Sequence, residues 1–128
     1  MATTPTQRTL KALRDRGLVC AIVEKYNAYA GPFGRRNDLF GIIDVLALGP
    51  DGVIGIQSTG QAFSQHKEKL MEERYQECFD WLTCPGTSLE LWGWRKVKLT
   101  KGGKAMRWKP RVAHITLQNG ELVFEEMK

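Results

Sequence analysis

The feature that most constrains this chain is an apolar run, residues 39–48, with one charged residue inside it, Asp44. A run of this kind is typical of a buried strand. An unpaired carboxylate in such a strand would cost several kcal/mol or take up a proton. Asp44 therefore needs a partner. The candidates are a metal ion, an arginine and backbone amides, and the pattern favours the metal.

A Gly-Pro-Asp-Gly turn at residues 49–52 joins this run to a second one, residues 53–58. Proline fixes φ early in such a turn, and glycine tolerates a positive φ later. If the hairpin is symmetric, Leu48 opposes Val53 and Asp44 opposes Gln57. Opposed side chains share a face, with Cβ atoms about 4.5–5.5 Å apart. The pair predicts either a hard-cation site, in which Mg²⁺ keeps several waters, or a simple Asp–Gln hydrogen bond.

The remaining pattern predicts a single mixed α/β domain over residues 1–128. Thr4 and Pro5 predict the start of a helix that Gly17 ends. Strands are predicted at residues 19–26, 40–48 and 53–58, a helix at 63–82, and strands at 89–99, 108–117 and 122–124. Residues 27–37 are predicted to form a mobile basic loop, and residues 101–104 a hairpin tip.

Large apolar side chains are assigned to the core. The predicted core stripe of the second helix comprises Leu70, Met71, Tyr75, Cys78, Phe79 and Leu82. Trp92 and Trp94 are two residues apart and therefore share one face of a strand. Tryptophans beside basic residues can stack on bases. Paired tryptophans under a helix are more often core, and Trp108 is grouped with them.

Composition excludes several classes of protein. The chain has 128 residues, of which 42% are hydrophobic and 26% charged, which is typical of one globular domain. Its three cysteines show no CxxC or paired Cys/His spacing, which argues against a disulfide framework and a structural zinc site. No apolar run is long enough to span a membrane, and no signal core is present, so we expect a cytoplasmic protein.

The charge is segregated along the chain, with a net value of +5. Residues 91–111 carry eight basic groups and no acidic one, whereas residues 37–90 carry three basic and nine acidic groups. Blocks of this kind favour a polyanionic partner. A solvated lysine-rich surface has the same composition, so the charge alone does not decide between the two.

Asp44, twelve intervening residues, then Gln57-Ser58-Thr59 and a helix resemble the core of the PD-(D/E)XK nuclease superfamily. The order of helix, three strands, helix and strand is similar to that of its small members, among them Holliday-junction resolvases. The segments DLFGIID, GIQST and WGWRK resemble small phage- and prophage-encoded members more closely. The resemblance implies a restriction-endonuclease-like fold: a central mixed sheet flanked by helices, with an αβββαβ core, here followed by a C-terminal hairpin.

The resemblance also implies a metal site and its ligands. In the family, the first Asp and the following acidic position bind Mg²⁺ or Mn²⁺, and a lysine two residues later positions or activates the attacking water. Asp44 matches the first position, and Gln57 stands at the second as a neutral oxygen donor. Ser58 is included among the expected metal ligands. Thr59 stands where the lysine belongs.

The missing lysine and the missing carboxylate are therefore expected to come from elsewhere in the chain. A lysine on the following helix is expected to reach back to the site, with Lys69 as first choice and Lys67 as second. Glu24, on the preceding strand, is the candidate for the missing carboxylate, and Asp38 is a weaker one.

The implied function is hydrolysis of phosphodiester bonds in DNA, on branched or phage DNA. Flanking phosphates are expected to bind to basic residues, namely Arg35, Arg36, Arg95, Lys96, Lys101 and Lys104. His66 and His114 have no metal-ligand spacing and are expected to be incidental. The resemblance leaves a homodimer open, because resolvase-like members often dimerise.

Two alternatives belong to other classes of protein. Gln57 and Thr59 favour a non-catalytic nucleic-acid-binding module that has the same fold and a degenerate site. The acidic helix of residues 67–80 is the only hint of a protein–protein adaptor. Nicking of a plasmid in Mg²⁺ or Mn²⁺ separates the nuclease from the binding module.

Overall fold

Helices pack on both faces of a six-stranded sheet in the computed structural model. The structure describes residues 3–27, 29, 31–32 and 35–127, and the side chains of residues 26, 27, 35 and 36 lie outside that description. The first half comprises α1 (Pro5–Asp15), β1 (Val19–Ile22), β2 (Lys25–Asn27), β3 (Arg35–Asn37), β4 (Val45–Gly49) and β5 (Gly52–Thr59). The second half comprises α2 (Phe63–Glu68), a π-helical turn (Lys69–Glu73), α3 (Tyr75–Thr83), β6 (Thr87–Lys98), β7 (Met106–Gln118) and β8 (Glu121–Glu126).

The sheet is mixed, in the order β1-β4-β5-β6-β7-β8. Strands β5 and β6 are parallel and are connected through α2 and α3, whereas the other neighbours are antiparallel. Strands β2 and β3 form a separate two-stranded sheet. The predicted α/β class with a mixed central sheet is therefore confirmed. In the described part of the chain, no helix is long and apolar enough to cross a membrane.

One face of the sheet is covered by α1. The helix begins as predicted, because the Thr4 hydroxyl accepts from the Gln7 amide and the Gln7 side chain accepts from the Thr4 amide, a capping box. Leu10 and Leu13 pack there against apolar side chains of the sheet, namely Val45, Ala47, Ile56, Trp92 and Trp94. The core assignment of Trp92 and Trp94 is confirmed.

The other face of the sheet is covered by α2, the π-helical turn and α3. Leu70 and Cys78 are fully buried there against Ile42, Ile43, Leu89 and Leu91. The core prediction was wrong for Tyr75, which is 39% exposed and stacks on Phe79. Leu70 belongs to the π-helical turn, whereas Tyr75 is the first residue of α3. The π-helical turn therefore changes the angle between these two side chains around the helix axis, compared with the angle in an unbroken α-helix.

Three predicted elements are shorter or more divided than expected. Strand β4 starts at Val45 rather than at residue 40, because Phe40 and Gly41 both have positive φ (56° and 75°) and form a turn. The predicted strand 19–26 divides into β1 and β2, and the predicted loop 27–37 contains β3. The predicted helix 63–82 divides into α2, the π-helical turn and α3.

Strands β6 and β7 extend well beyond their neighbours. Their pairing runs from Leu89↔Ile115 to Lys98↔Met106, whereas β5 pairs with β6 only up to Gly93 and β8 pairs with β7 only from Ala113. Residues 94–112 therefore form a two-stranded hairpin that projects from the sheet, which we call the ribbon. The core assignment of Trp108 was wrong, because this ribbon residue is 42% exposed.

Candidate functional site

The hairpin of β4 and β5 has the predicted register. Leu48 pairs with Val53 and Val45 with Ile56, and the Asp44 amide donates to the Ile56 carbonyl at 2.9 Å. Gln57 Nε2 donates to Asp44 Oδ2 at 2.6 Å. Both residues are buried, with exposed fractions of 4% for Asp44 and 1% for Gln57. The predicted opposition of these two side chains is confirmed.

Asp38 joins this pair from the segment before β4. Gln57 Nε2 also donates to Asp38 Oδ2 at 3.2 Å. The turn at Phe40 and Gly41 folds the chain back, and the Leu39 amide donates to the Ile43 carbonyl at 2.8 Å to close it. This turn places Asp38 beside Asp44. Asp38, the weaker of the two candidates for the missing carboxylate, therefore lies at the centre of the cluster.

Lys69 reaches the cluster from the π-helical turn. Its Nζ donates to Asp38 Oδ2 at 3.0 Å and to Gln57 Oε1 at 3.1 Å. The Arg74 amide donates to the Lys69 carbonyl at 2.7 Å, the i→i+5 bond of a π-helix, a feature often found at functional sites. Lys67, the second choice, does not reach the cluster, because its Nζ lies 4.5 Å from the centroid of the Phe124 ring.

Glu24 completes a set of three carboxylates. One oxygen each from Glu24, Asp38 and Asp44 lies within 4.8 Å of the other two. Glu24 lies between β1 and β2, so the carboxylates come from three separate stretches of chain. Carboxylate oxygens are the ligands that Mg²⁺ and Mn²⁺ prefer, so this donor set fits a hard divalent cation.

Ser58 and Thr59 follow Gln57 at the end of β5. The Ser58 amide donates to Asp44 Oδ2 at 2.9 Å. The Ser58 hydroxyl is bonded to Thr9 Oγ1 at 2.8 Å on the α1 side, because successive side chains of a strand alternate in direction. Ser58 thus contacts Asp44 through its amide, whereas the resemblance implies that it is a metal ligand. Thr59 is buried on the same face as Gln57.

The carboxylates border an open pocket of about 340 Å³, whose walls include the first residues of α1 and His66. His66 Nδ1 is buried and has no hydrogen-bond partner among the described residues. Burial, together with the nearby Lys69 charge, lowers the pKa of His66. From the sequence alone, this histidine is expected to be incidental. Its position three residues before Lys69 was the available signal, because residues three apart lie on the same side of a helix.

The two aspartates differ sharply in acidity. The pKa of Asp44 is raised to about 8, mainly by burial and secondly by the adjacent Asp38. Burial also acts to raise the pKa of Asp38, but hydrogen bonds from Asp44, Lys69 and Gln57 outweigh it, so that pKa is lowered. Near neutral pH the pair therefore carries one negative charge, held by Asp38. A divalent cation would displace the proton of Asp44.

The residues predicted to bind DNA are divided between two regions. Arg95, Lys96, Lys101 and Lys104 are all exposed on the ribbon. Arg35 and Arg36 belong to β3, and their side chains lie outside the described residues.

The site unites side chains from five separate stretches of chain: Glu24, Asp38, Asp44, Gln57 and Lys69. Three carboxylates can hold a cation, and an ammonium group beside them can bind an anion or an activated water. No family model matches this chain, and no curated protein or solved structure is significantly similar to it.

Proposed function

We propose that this protein is a metal-dependent DNA endonuclease of the PD-(D/E)XK type with a restriction-endonuclease-like fold, acting on branched or phage DNA. The observation that carries the proposal is the position of Lys69. Its Nζ lies 3.0 Å from Asp38 and 3.1 Å from Gln57, beside Asp44. It supplies there the ammonium group that Thr59, at the usual position of the lysine, does not provide.

The order of elements supports the same proposal. A first helix covers one face of the sheet, an antiparallel set of strands follows, and a helical connection leads from β5 to its parallel neighbour β6. The proposed site lies where β5 ends, so the helical connection leaves directly beside it. This is the αβββαβ order that the resemblance implies, with β7 and β8 added after it.

The carboxylates of Glu24, Asp38 and Asp44 would hold the metal. Mg²⁺ or Mn²⁺ bound there would supply a water of lowered pKa and would stabilise the charge that develops on the phosphate. Asp44 must lose its proton to act as a ligand, and a cation beside it favours the ionised form. Asp38 is ionised already, because its contacts with Asp44 and Lys69 lower its pKa.

Lys69 and Gln57 position the reacting groups. The Lys69 ammonium is held by two oxygen acceptors, so it has a proton left to donate to a water or to a phosphate oxygen. The Gln57 amide connects Asp38, Asp44 and Lys69, which fixes their relative positions. Fixed donors of this kind stabilise a transition state without reorganising during the reaction.

A second candidate function is a non-catalytic DNA-binding module on the same scaffold. The Gln57 amide nitrogen donates to both Asp38 and Asp44, and Lys69 adds a positive charge. The cluster therefore satisfies most of its hydrogen bonds without a cation. A site that has lost its metal would keep this arrangement as a structural network.

The experiment that separates the two is nicking of a supercoiled plasmid and of a four-way DNA junction in Mg²⁺ or Mn²⁺. We expect the wild type to cut and Asp44→Asn to be inactive, with binding of Mn²⁺ lost in calorimetry. Asp51→Asn is the matched control, because Asp51 is exposed in the turn at the other end of the same hairpin. A wild-type protein that binds DNA but cuts neither substrate in either metal contradicts the nuclease.

A further inference from the structure

The two faces of the ribbon differ in composition. Opposed residues of an antiparallel pair share a face. The pairs Arg95↔Lys109 and Val97↔Arg107, with Arg111 opposite Gly93, therefore lie together on one side. We call this side the basic face. The opposite side carries the pairs Lys96↔Trp108 and Lys98↔Met106, each of which places a lysine of β6 opposite an apolar side chain of β7.

The basic face and the proposed site lie on the same side of the sheet. Gln57 pairs in parallel with Leu91 and Thr59 with Gly93, so these residues share the face that α2 and α3 cover. Arg95 lies two residues beyond Gly93 and keeps the same direction. Strand β6 thus continues past the end of β5, where the site lies, and extends this face beyond it.

In the part of the chain that the structure describes, most cations of the basic face form no ion pair. Arg111 pairs with Glu126, Nη2 to Oε2 at 3.0 Å, and its guanidinium group lies 4.1 Å from the centroid of the Phe63 ring. Within the described residues, Arg107 and Lys109 form no ion pair. Both are exposed.

Glu126 lies within the positive field of this region. The pKa of Glu126 is lowered by its hydrogen bond with Arg111, and the charges of Arg95 and Lys67 add to the effect. Three cations of the α2 side thus act on one carboxylate. The same charges attract a phosphate from solution.

We infer that the basic face binds the phosphate backbone of double-stranded DNA next to the site. The choice of DNA rests on the proposed function. Single-stranded DNA is bound by aromatic rings on which bases stack, and the basic face has none. Trp108 lies on the opposite side, where the Arg8 guanidinium group is 3.6 Å from its ring centroid. A two-stranded ribbon also fits the width of the DNA major groove.

The test is the affinity of the full chain for a fluorescent 20-base-pair duplex (about two turns of DNA), measured by anisotropy in EDTA from 50 to 300 mM salt. Arg107→Gln/Lys109→Gln removes two cations of the basic face. We expect the affinity to fall on the order of tenfold or more at 100 mM salt, and the salt slope to become shallower by about 1.8. Single-stranded DNA of the same length should bind more weakly than the duplex.

The matched control is Arg14→Gln/Lys98→Gln, which removes the same charge from two exposed positions on the α1 side, one on α1 and one on the ribbon. It should leave the salt slope unchanged. Equal losses in the two double variants would overturn the inference, because they would indicate a general field and not contacts of one face. Absence of duplex binding by the wild type, or tighter binding of the single strand, would also overturn it.

The outcome for the ribbon and the outcome for the nuclease can be told apart, because binding is measured without metal. A protein that binds duplex through the basic face and never cuts it contradicts the nuclease alone. A protein that cuts DNA while the two double variants bind equally contradicts the ribbon alone.

Discussion

The pocket and the ribbon lie at the same end of the sheet but differ in the sign and the burial of their charged groups. In the pocket, Asp44 and Gln57 are buried and hydrogen-bonded to several groups that come from distant parts of the chain. On the ribbon, cations such as Arg107 and Lys109 are two residues apart in sequence, exposed and without ion pairs in the described structure. The pocket fixes a geometry, whereas the ribbon offers charge that can adapt to a ligand.

This difference has an energetic basis. A buried carboxylate must be neutralised by a proton, a cation or hydrogen bonds, so every partner in the pocket has a defined place. An exposed lysine or arginine stays hydrated and is screened by salt beyond about 10 Å at 0.1 M. Changes in the pocket should therefore alter catalysis and stability, and changes on the ribbon should alter the salt dependence of binding.

The largest effect is expected from Lys69→Ala. Loss of the ammonium group should reduce the rate of DNA cleavage by about 10²–10⁴-fold, the usual contribution of a positioned proton donor. DNA affinity in EDTA should stay within about twofold, because Lys69 is not on the ribbon. Single-turnover cleavage of a labelled duplex measures the rate.

Lys67→Ala is the control for this change, since Lys67 lies against the Phe124 ring two residues away from Lys69. It should cut at nearly the wild-type rate. Full activity of Lys69→Ala, or equal losses in both variants, would remove Lys69 from the mechanism.

The second largest effect is the pH dependence of stability without metal. The pKa of Asp44 is about 8 in the folded protein against 3.8 for an ordinary aspartate. Between these values the folded state holds a proton that the unfolded chain has released, so stability falls as pH rises, by at most about 1.4 kcal/mol per pH unit. The lowered pKa of Asp38 acts with the opposite sign only in more acidic solution, and the lowered pKa of His66 does so only below its ordinary value of 6.5.

We therefore expect the free energy of unfolding in urea and EDTA to fall by about 1–2 kcal/mol between pH 6.5 and pH 8, where Asp44 is the group that acts. Asp44→Asn should flatten this dependence and be the more stable protein at pH 8. Asp51→Asn, which changes an exposed carboxyl, should keep the wild-type curve. Stability that rises with pH over this interval would contradict the assignment.

A smaller effect is expected where the two regions are joined. Thr9 Oγ1 bonds to Ser58 Oγ at 2.8 Å, beside the pocket, and accepts from Trp94 Nε1 at 2.9 Å, at the base of the ribbon. Thr9→Val keeps the shape but leaves both partners buried and unpaired, at a cost of about 1–3 kcal/mol. Thermal unfolding should show a lower Tm, whereas Thr100→Val, at the exposed tip of the ribbon, should not.

The smallest effect is expected from Trp108→Ala. Its contact with Arg8 is exposed, so the change should reduce stability by about 0.5–1 kcal/mol. Duplex affinity and its salt slope should stay at wild-type values, because Trp108 lies on the side of the ribbon away from the basic face. A loss of affinity as large as that of Arg107→Gln/Lys109→Gln would show that both sides contact DNA.

The sequence predicted those parts of the fold that depend on neighbouring residues. The cap of α1 at Thr4 and Pro5 follows from the chemistry of two adjacent side chains. The register of β4 and β5 follows from the turn between them, and this register placed Asp44 opposite Gln57. The choice of Lys69 over Lys67 also agrees with the structure, although its catalytic role stays a prediction.

The parts that the sequence did not predict depend on contacts between distant residues. The turn at Phe40 and Gly41 interrupts an apolar run that has the composition of a strand, and this turn brings Asp38 to the centre of the site. Trp108 has the same residue type and strand setting as Trp92 but lies beyond the end of the core. The two tryptophans differ because β6 and β7 extend beyond the neighbouring strands and Trp108 lies in this extension.

The π-helical turn at Lys69–Glu73 has a consequence for the history of such a chain. A π-helical turn contains one residue more than the α-helical turn that it replaces, so it is equivalent to a single-residue insertion in a helix. Deleting one residue between Leu70 and Arg74 would restore a continuous helix and rotate Lys69 by about 100° relative to α3. A one-codon deletion could thus disconnect the lysine while leaving the apolar positions of α3 in place, and a one-codon insertion could move a lysine into such a site.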